Sequence, residues 1–199
     1  MTKVLILIAA AGASTRMRGS DKLLEEIEGE PLLTRTARHA VATRAPVLAT
    51  IPEGNERRHG ALAGTGVEVQ EIDASEGMAA SLRAGATEAR RIGAVGLMVH
   101  LADMPEIGTG DFSSLISAFL EDPDKILRAT AASGKPGHPV LFPARLFPEL
   151  ARLSGDRGAR AILAREQQIR NLALPGTRAL TDLDTPEDWA AWRQRRETS

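Results

Sequence analysis

The chain has no cysteine, so it holds no disulfide framework, no thiolate metal site, no iron–sulfur cluster and no catalytic thiol, and its composition suits a reducing cytoplasm. Tyrosine is missing too, and aromatic residues make up 3% of the sequence, too few for the stacking platforms that bind single-stranded nucleic acid. Neither sign of charge is in excess. The 25 Lys and Arg face 26 Asp and Glu for a formal net charge of -1, which removes any broad attraction to DNA, RNA or an anionic membrane. No apolar run approaches the roughly 20 residues that span a bilayer. The opening run Lys3 to Ala11 carries a single Lys and leads into a Gly/Ser/Arg-rich loop, which is not the form of a secretory signal.

What remains is ordinary globular material, 199 residues that are 43% hydrophobic and 26% charged. One domain is expected at this length, with a core burying roughly 70% of the unfolded surface. Short apolar runs at Val4 to Ala10, Val47 to Ile51, Val67 to Ile72, Val95 to Leu101 and Ile126 to Ala129 read as strands, the first buried on both faces. Between them lie candidate helices Pro31 to Thr43, Glu56 to Ala63, Met78 to Arg91 and Asp111 to Leu120, the last with Asp111 as its N-cap. This alternation predicts an α/β, three-layer, Rossmann-like fold with a mostly parallel sheet. After residue 130 the alternation breaks. A Gly/Pro stretch, Ser133 to Pro139, leads to a short run Val140 to Phe142, helical segments Pro143 to Leu153 and Gly158 to Glu166, a strand Ile169 to Leu174 and a closing helix Pro186 to Arg196. No linker is long enough to separate residues 1–130 from 131–199, so the two form one expected domain.

The first strand runs into Ala9-Ala10-Ala11-Gly12-Ala13-Ser14-Thr15-Arg16-Met17-Arg18-Gly19-Ser20-Asp21-Lys22. Residues as small as Ala10, Ala11, Gly12, Ala13, Ser14 and Thr15 let backbone N–H groups come close to a polyanion, and phosphate is the natural guest. Neither the P-loop spacing nor the dinucleotide fingerprint is present. Arg16 and Lys22, at the far end of the loop, offer a planar fork and a point charge to a phosphoryl group in transfer. On composition alone an ordinary connection with solvated cations explains the loop equally well.

The segment AAAGASTRMRGSDK resembles the first signature of the MobA-like nucleotidyltransferases, a family that includes molybdenum cofactor cytidylyltransferases and guanylyltransferases. In order along the chain, LADMP (Leu101 to Pro105), GHPVLF (Gly137 to Phe142) with GDRGAR (Gly155 to Arg160), and DLDTPED (Asp182 to Asp188) resemble the family's further motifs. Arg18 stands where Gly is common, and Ala102 replaces the Gly before the acidic residue. The resemblance, nearest to the cytidylyltransferase branch, implies a fold of the nucleotide-diphospho-sugar transferase type. It also implies transfer of CMP from CTP to a phosphorylated acceptor, molybdopterin by the family's pattern, with release of pyrophosphate and with Mg²⁺ as cofactor, residues 1–130 being the nucleotide-binding half and 131–199 the acceptor side. Transfer to a sugar or isoprenoid phosphate, use of GTP, and a binding module without turnover are the other readings.

Asp103 lies just beyond an apolar run, at the edge where open α/β sheets bind ligands, and a carboxylate there can hold Mg²⁺; a turn acid before Pro105 is the plainer reading. Helix capping accounts for Thr185, Pro186 and Asp188 but not for Asp182 and Asp184, and the resemblance points to Asp184 as the second Mg²⁺ contact with Asp182 as the alternative. Gly77 and Ser81, in a segment similar to the family's G-M-x-x-S-L, can line a base or ribose site, although close helix packing accounts for the Ala residues between them. His100 reads as a hydrogen-bonded core histidine. His138, Asp156 and Arg157 fall in segments that resemble the substrate side, which implies acceptor contacts, or for His138 a contact to the base; a turn and helix start is the plainer reading of Asp156 and Arg157. The Trp189 and Trp192 pair is the apolar face of the last helix, and the Arg193, Arg195 and Arg196 cluster is its solvated end.

Overall fold

The computed structural model describes residues 3–155 and 159–197. In chain order the elements are β1 (Val4–Ala9), a hairpin β2 (Glu26–Ile27) and β3 (Glu30–Pro31), α1 (Leu32–Val41), β4 (Val47–Pro52), α2 (Glu56–Leu62), β5 (Glu68–Ile72) and α3 (Met78–Arg91). They continue with β6 (Gly96–Leu101), α4 (Thr109–Glu121), β7 (Ile126–Thr130), β8 (Pro136–Pro143), α5 (Phe147–Leu150), α6 (Arg160–Arg165), β9 (Ile169–Ala173) and α7 (Pro186–Glu197). Seven strands form one sheet in the order β5-β4-β1-β6-β8-β7-β9. Pairing is parallel except where β8 runs antiparallel between β6 and β7, so the mostly parallel α/β sheet expected from the alternation is what forms.

The period of two along β1 builds both helical layers. Ile6 and Ile8 face a core with Leu32 and Leu33 of α1, Phe112 and Phe119 of α4 and Trp189 of α7, while Leu5 and Leu7 face Leu82 and Ala86 of α3, Leu150 of α5 and Ile162 of α6. A strand apolar at every position is what such double burial requires. From β1 the chain crosses outward to β4 and β5, then returns to place β6 on the other side of β1. The crevice at the carboxyl ends of β1 and β6 is therefore a topological switch point, where ligands bind in open α/β sheets. Among the described residues no helix is long and apolar enough to cross a membrane.

Several boundaries differ from the sequence expectation for local reasons. Asp111 is not the N-cap of α4: it lies three residues inside, and its Oδ2 accepts the Gly108 N–H at 2.9 Å, so it is the returning half of a capping box. The Gly/Pro stretch is not all loop, because Pro136 to Pro139 extend β8 backward. The expected helix Pro143 to Leu153 shrinks to a 3-10 turn and the one-turn α5, since Pro143 still belongs to the strand. The β2–β3 hairpin escapes pattern reading altogether; its turn residues Glu28 and Gly29 both take positive φ, 56° and 79°. Arg193 and Arg196 are also more than a solvated end: they stack over the buried Trp189 and Trp192 rings at 5.0 and 4.9 Å and ion-pair with Glu25 and Glu28 at the hairpin, fastening α7 there.

His100 is fully buried on β6 with its ring edge-on to Phe112 at 5.0 Å, but among the described residues neither ring nitrogen has a hydrogen-bond partner. That corrects the expectation of a hydrogen-bonded core histidine. Burial pushes its pKa from 6.5 to about 3, with the charge of His138 adding to the effect. The unfolded chain thus binds a proton that the folded chain refuses between those values, and the fold loses stability as pH falls through that window. His100→Leu is expected to lose less stability than the wild type between pH 7 and pH 4 in urea denaturation; equal losses refute this source of acid sensitivity.

Candidate active site

The loop from Ala10 to Lys22 leaves the end of β1 and is pinned by what its short apolar residues bury. Met17 and Leu23 enter the core at 4% and 2% exposure, and two 3-10 turns, Thr15–Met17 and Lys22–Leu24, carry Arg16 and Lys22 between those anchors. Ser14 and Arg18 adopt left-handed backbone, φ 49° and 52°, so the Arg at the place where Gly is common keeps the conformation a Gly would take, and its side chain reaches Glu187 of α7 at 2.5 Å. Ala102 has no such φ, which is why its methyl group is accommodated. Gly12 is a different case: a Cβ there would meet nothing within 4 Å, so packing does not require the glycine and the space beside it is open. Gly12, Ala13, Ser14, Thr15, Arg16, Lys22 and Asp184 together line a cavity of about 160 Å³.

Asp103 follows the end of β6, and the closing segment is fastened to it by the Leu183 N–H, which donates to the Asp103 carbonyl at 3.0 Å. On the other side, Thr185 and Asp188 cap α7 reciprocally, Thr185 N to Asp188 Oδ2 at 2.9 Å and Asp188 N to Thr185 Oγ1 at 3.1 Å. Asp184 is held between these two anchors. The Lys22 ammonium donates to Asp103 Oδ2 at 2.5 Å and to Asp184 Oδ1 at 2.7 Å, and Arg16 Nη2 meets Asp184 Oδ2 at 2.7 Å. Burial alone would lower the Lys22 pKa, but the charges and hydrogen bonds of Asp103 and Asp184 outweigh it and hold the ammonium above the ordinary lysine value. Asp182 lies close by, its carboxyl pushed up first by burial and then by the negative charges of Asp103 and Asp184. It is Asp184, not Asp182, that converges with Asp103 on one cation.

The other expected residues that the structure describes do not share the ion pairs of this cluster. Ala10 is wholly buried, and Ala11 packs against Ile72, Ala80 and Ala84, so its methyl group faces α3 and not the open cavity. Ser81 is 2% exposed and accepts a hydrogen bond from Thr50 Oγ1 at 2.9 Å; its hydroxyl serves the interior and is not offered to a ligand, which corrects that assignment. Gly77 has φ 61° and ψ -149°, a region open essentially to glycine alone, so the entry into α3 explains it. His138 lines a separate, mostly apolar cleft of about 260 Å³ with Val99, Leu101, Leu82 and Arg160, and burial, assisted by the Arg128 charge, keeps its imidazole below the usual pKa. Asp156 and Arg157 lie outside the described residues.

Two residues at the loop were not found from the sequence. Arg58 of α2 is 2% exposed and holds the Asp21 carboxylate by two hydrogen bonds, Nε to Oδ2 at 2.7 Å and Nη2 to Oδ1 at 2.8 Å. It also donates to the Ala10 carbonyl at 2.6 Å and the Ser14 hydroxyl at 3.1 Å. Burial raises the Asp21 pKa, but the hydrogen bonds and charge of Arg58, with the Leu23 N–H and Ser14, more than reverse it and leave the carboxyl below its ordinary value. No local pattern marks an Arg within NERRHGAL as buried. The one available signal was an acid immediately before Lys22.

Removing the central cation should set the carboxylates against one another. Lys22→Met is expected to lose about 2–3 kcal/mol in urea denaturation at pH 7, and adding Asp103→Asn should restore more than half of that, because an unpaired half-buried charge is the larger cost. Equal stabilities of the single and double variants refute the electrostatic account.

The family described as MobA-like NTP transferase domain matches residues 6–170. Purine catabolism protein PucB of Bacillus subtilis (strain 168) is 26% identical over 194 residues, covering 90% of this chain and 91% of PucB. The crystal structure of Rv0371c from Mycobacterium tuberculosis H37Rv superimposes with a TM-score of 0.82 at 28% identity, covering 96% of each chain. The same protein has been solved as a complex with manganese, at TM-score 0.75 and 26% identity, covering 96% of this chain and 97% of that one. A nucleotidyl transferase from Methanothermobacter thermautotroptrophicus, 19% identical with a TM-score of 0.78 and full coverage of both chains, shows that the fold is shared at much lower identity.

Proposed function

Because the chain belongs to the MobA-like NTP transferase family and is a nucleotidyltransferase in kind, we propose that it moves CMP from CTP to a phosphorylated acceptor of the molybdopterin class and releases pyrophosphate. The observation that carries this reading is the meeting of Lys22, Asp103 and Asp184 beside the open loop at Gly12. A divalent cation fits the residues present. Two carboxylates already converge on one positive charge, and the buried Asp103 Oδ1 has no hydrogen-bond partner among the described residues. No group of three or more His, Asp or Glu forms a closed cage there among the described residues, and Mg²⁺ characteristically takes one or two carboxylates and completes its shell with substrate phosphates and water. The manganese complex of Rv0371c supports a divalent metal of this kind. When bound, such an ion screens the nucleotide phosphates so that a second anion can approach.

The protein's own groups supply the rest. Backbone N–H groups of Gly12 to Thr15 hold the β- and γ-phosphates in the cavity, close to Arg16 and Lys22. Lys22 and Arg16 would neutralise charge on the α-phosphoryl group and the leaving pyrophosphate, and Asp103 and Asp184, which pair with Lys22 here, would hold the cation. An acceptor phosphate oxygen, already ionised at neutral pH, attacks the α-phosphorus, and the bond to the pyrophosphate oxygen breaks. No general base is required. The apolar cleft beside His138 is the acceptor side, and its neutral imidazole is suited to a hydrogen bond with an uncharged ring. The preference for CTP rests on the similarity of Ala11-Gly12 to the cytidylyltransferase branch. Since Ala11 faces α3, its effect on the base is exerted through the spacing of loop and helix. The reading places the protein in the cytoplasm.

Pyrophosphate release from CTP and GTP, with and without molybdopterin and a panel of sugar and isoprenoid phosphates, tests the proposal. CTP is expected to exceed GTP in kcat/KM by about 10–200-fold, the range that steric discrimination gives. Asp103→Asn is expected to keep the fold and lose most metal-dependent turnover, and Arg16→Ala or Lys22→Ala to lose about 100–1,000-fold in kcat. A higher kcat/KM for GTP refutes the base assignment, and turnover only with a sugar or isoprenoid phosphate refutes the acceptor. Near-normal rates for Asp103→Asn refute the catalytic reading.

A further inference from the structure

We propose that Arg58, a residue of α2 outside the loop and outside the phosphate cavity, is the positioning residue that sets nucleotide affinity. The inference rests on the reading of that loop as the nucleotide site. One guanidinium grips the loop at its start, middle and end: the Ala10 carbonyl at 2.6 Å, the Ser14 hydroxyl at 3.1 Å and the Asp21 carboxylate at 2.7 and 2.8 Å. The Ser14 hydroxyl accepts from Arg58 and donates a hydrogen bond to Asp21 Oδ1 at 3.2 Å, so its side chain is committed to the frame and only its backbone remains for a ligand. This frame explains how Ser14, which is not glycine, is kept at φ 49° two residues after Gly12. It also explains where Lys22 begins. Asp21 is the residue before it, and the Leu23 N–H bonds the same carboxylate at 3.1 Å, so Lys22 is flanked by two points tied to Arg58.

An ammonium cannot reproduce this. Lysine can pair with Asp21, but one nitrogen does not reach three separated acceptors, and the planar fork is what spans them. Charge and position can therefore be separated in one substitution. A merely structural Arg58 makes nucleotide affinity follow the folded fraction. A positioning Arg58 makes the two diverge, because displacement of a binding frame by about 1 Å is enough to cost up to 10²-fold.

The experiment is calorimetric binding of Mg·CTP and Mg·GTP to the full chain, alongside its thermal melt, for wild type, Arg58→Lys and the double variant Arg58→Met/Asp21→Asn, which removes both charges together. Arg58→Lys is expected to melt within a few degrees of wild type yet to bind the preferred nucleotide at least about tenfold more weakly. The double variant is expected to remain folded at the assay temperature and to show the same loss. Wild-type affinity in either folded variant, or a loss no larger than the unfolded fraction accounts for, overturns the role of Arg58 and leaves the loop as the nucleotide site. A wild type that binds neither nucleotide overturns the site itself and the role of Arg58 with it.

Discussion

A single ammonium group joins three parts of the chain that are far apart in sequence. Lys22 comes from the loop after β1, Asp103 from the end of β6 and Asp184 from the segment before α7, and the cation lies 2.5 and 2.7 Å from the two carboxylates. Each partner is delivered by separate means: β1 pairs directly with β6, and the Leu183 N–H ties the closing segment to the Asp103 carbonyl. The ammonium is what makes the convergence tolerable, since two carboxylates and the neighbouring Asp182 would otherwise repel one another. The ammonium thus balances the acids where the loop, β6 and the closing segment meet, and the nucleotidyl transfer proposed for this site would act on the same balance of charge. The same balance ties the stability of the loop to that of the far end of the chain.

The sheet and its helices were legible because burial on both faces leaves a simple mark. β1, β4 and β6 are apolar runs, and the segments between them are long enough for the crossovers that parallel pairing requires. The second half was less legible. Proline and glycine in Pro136 to Pro139 suggest a loop, yet these residues lengthen β8, an antiparallel strand between β6 and β7 that no short-range pattern foretells. The two-residue strands of the hairpin at Glu26 to Pro31 are likewise below the length at which alternation can be seen.

The candidate site divides in the same way. Arg16, Lys22, Asp103 and Asp184 were readable because motif spacing brings out charged residues at loop ends, and the structure gathers all four. Ser81 was misread since a hydroxyl near a helix start looks available until Thr50 is seen to occupy it. Arg58 was missed for the opposite reason: a helix rich in charge looks solvated, and only the tertiary approach of α2 to the loop shows one of its arginines to be interior. Polar groups that serve the frame and polar groups that serve a ligand are the same residue types, and burial is the property that separates them.

Glycine and arginine share the work at the loop on that principle. Gly77 is accounted for by its own backbone, whereas Gly12 sits where a Cβ would touch nothing, so the fold alone gives no reason for it. The loop around it needs a fixed shape without side chains filling its interior. An internal scaffold of larger residues would occupy the cavity, and glycine alone would leave the loop without a preferred form. Support from outside meets both requirements: Arg58 reaches in from α2 beneath the loop, Met17 and Leu23 enter the core on its flanks, and the space beside Gly12 is left open.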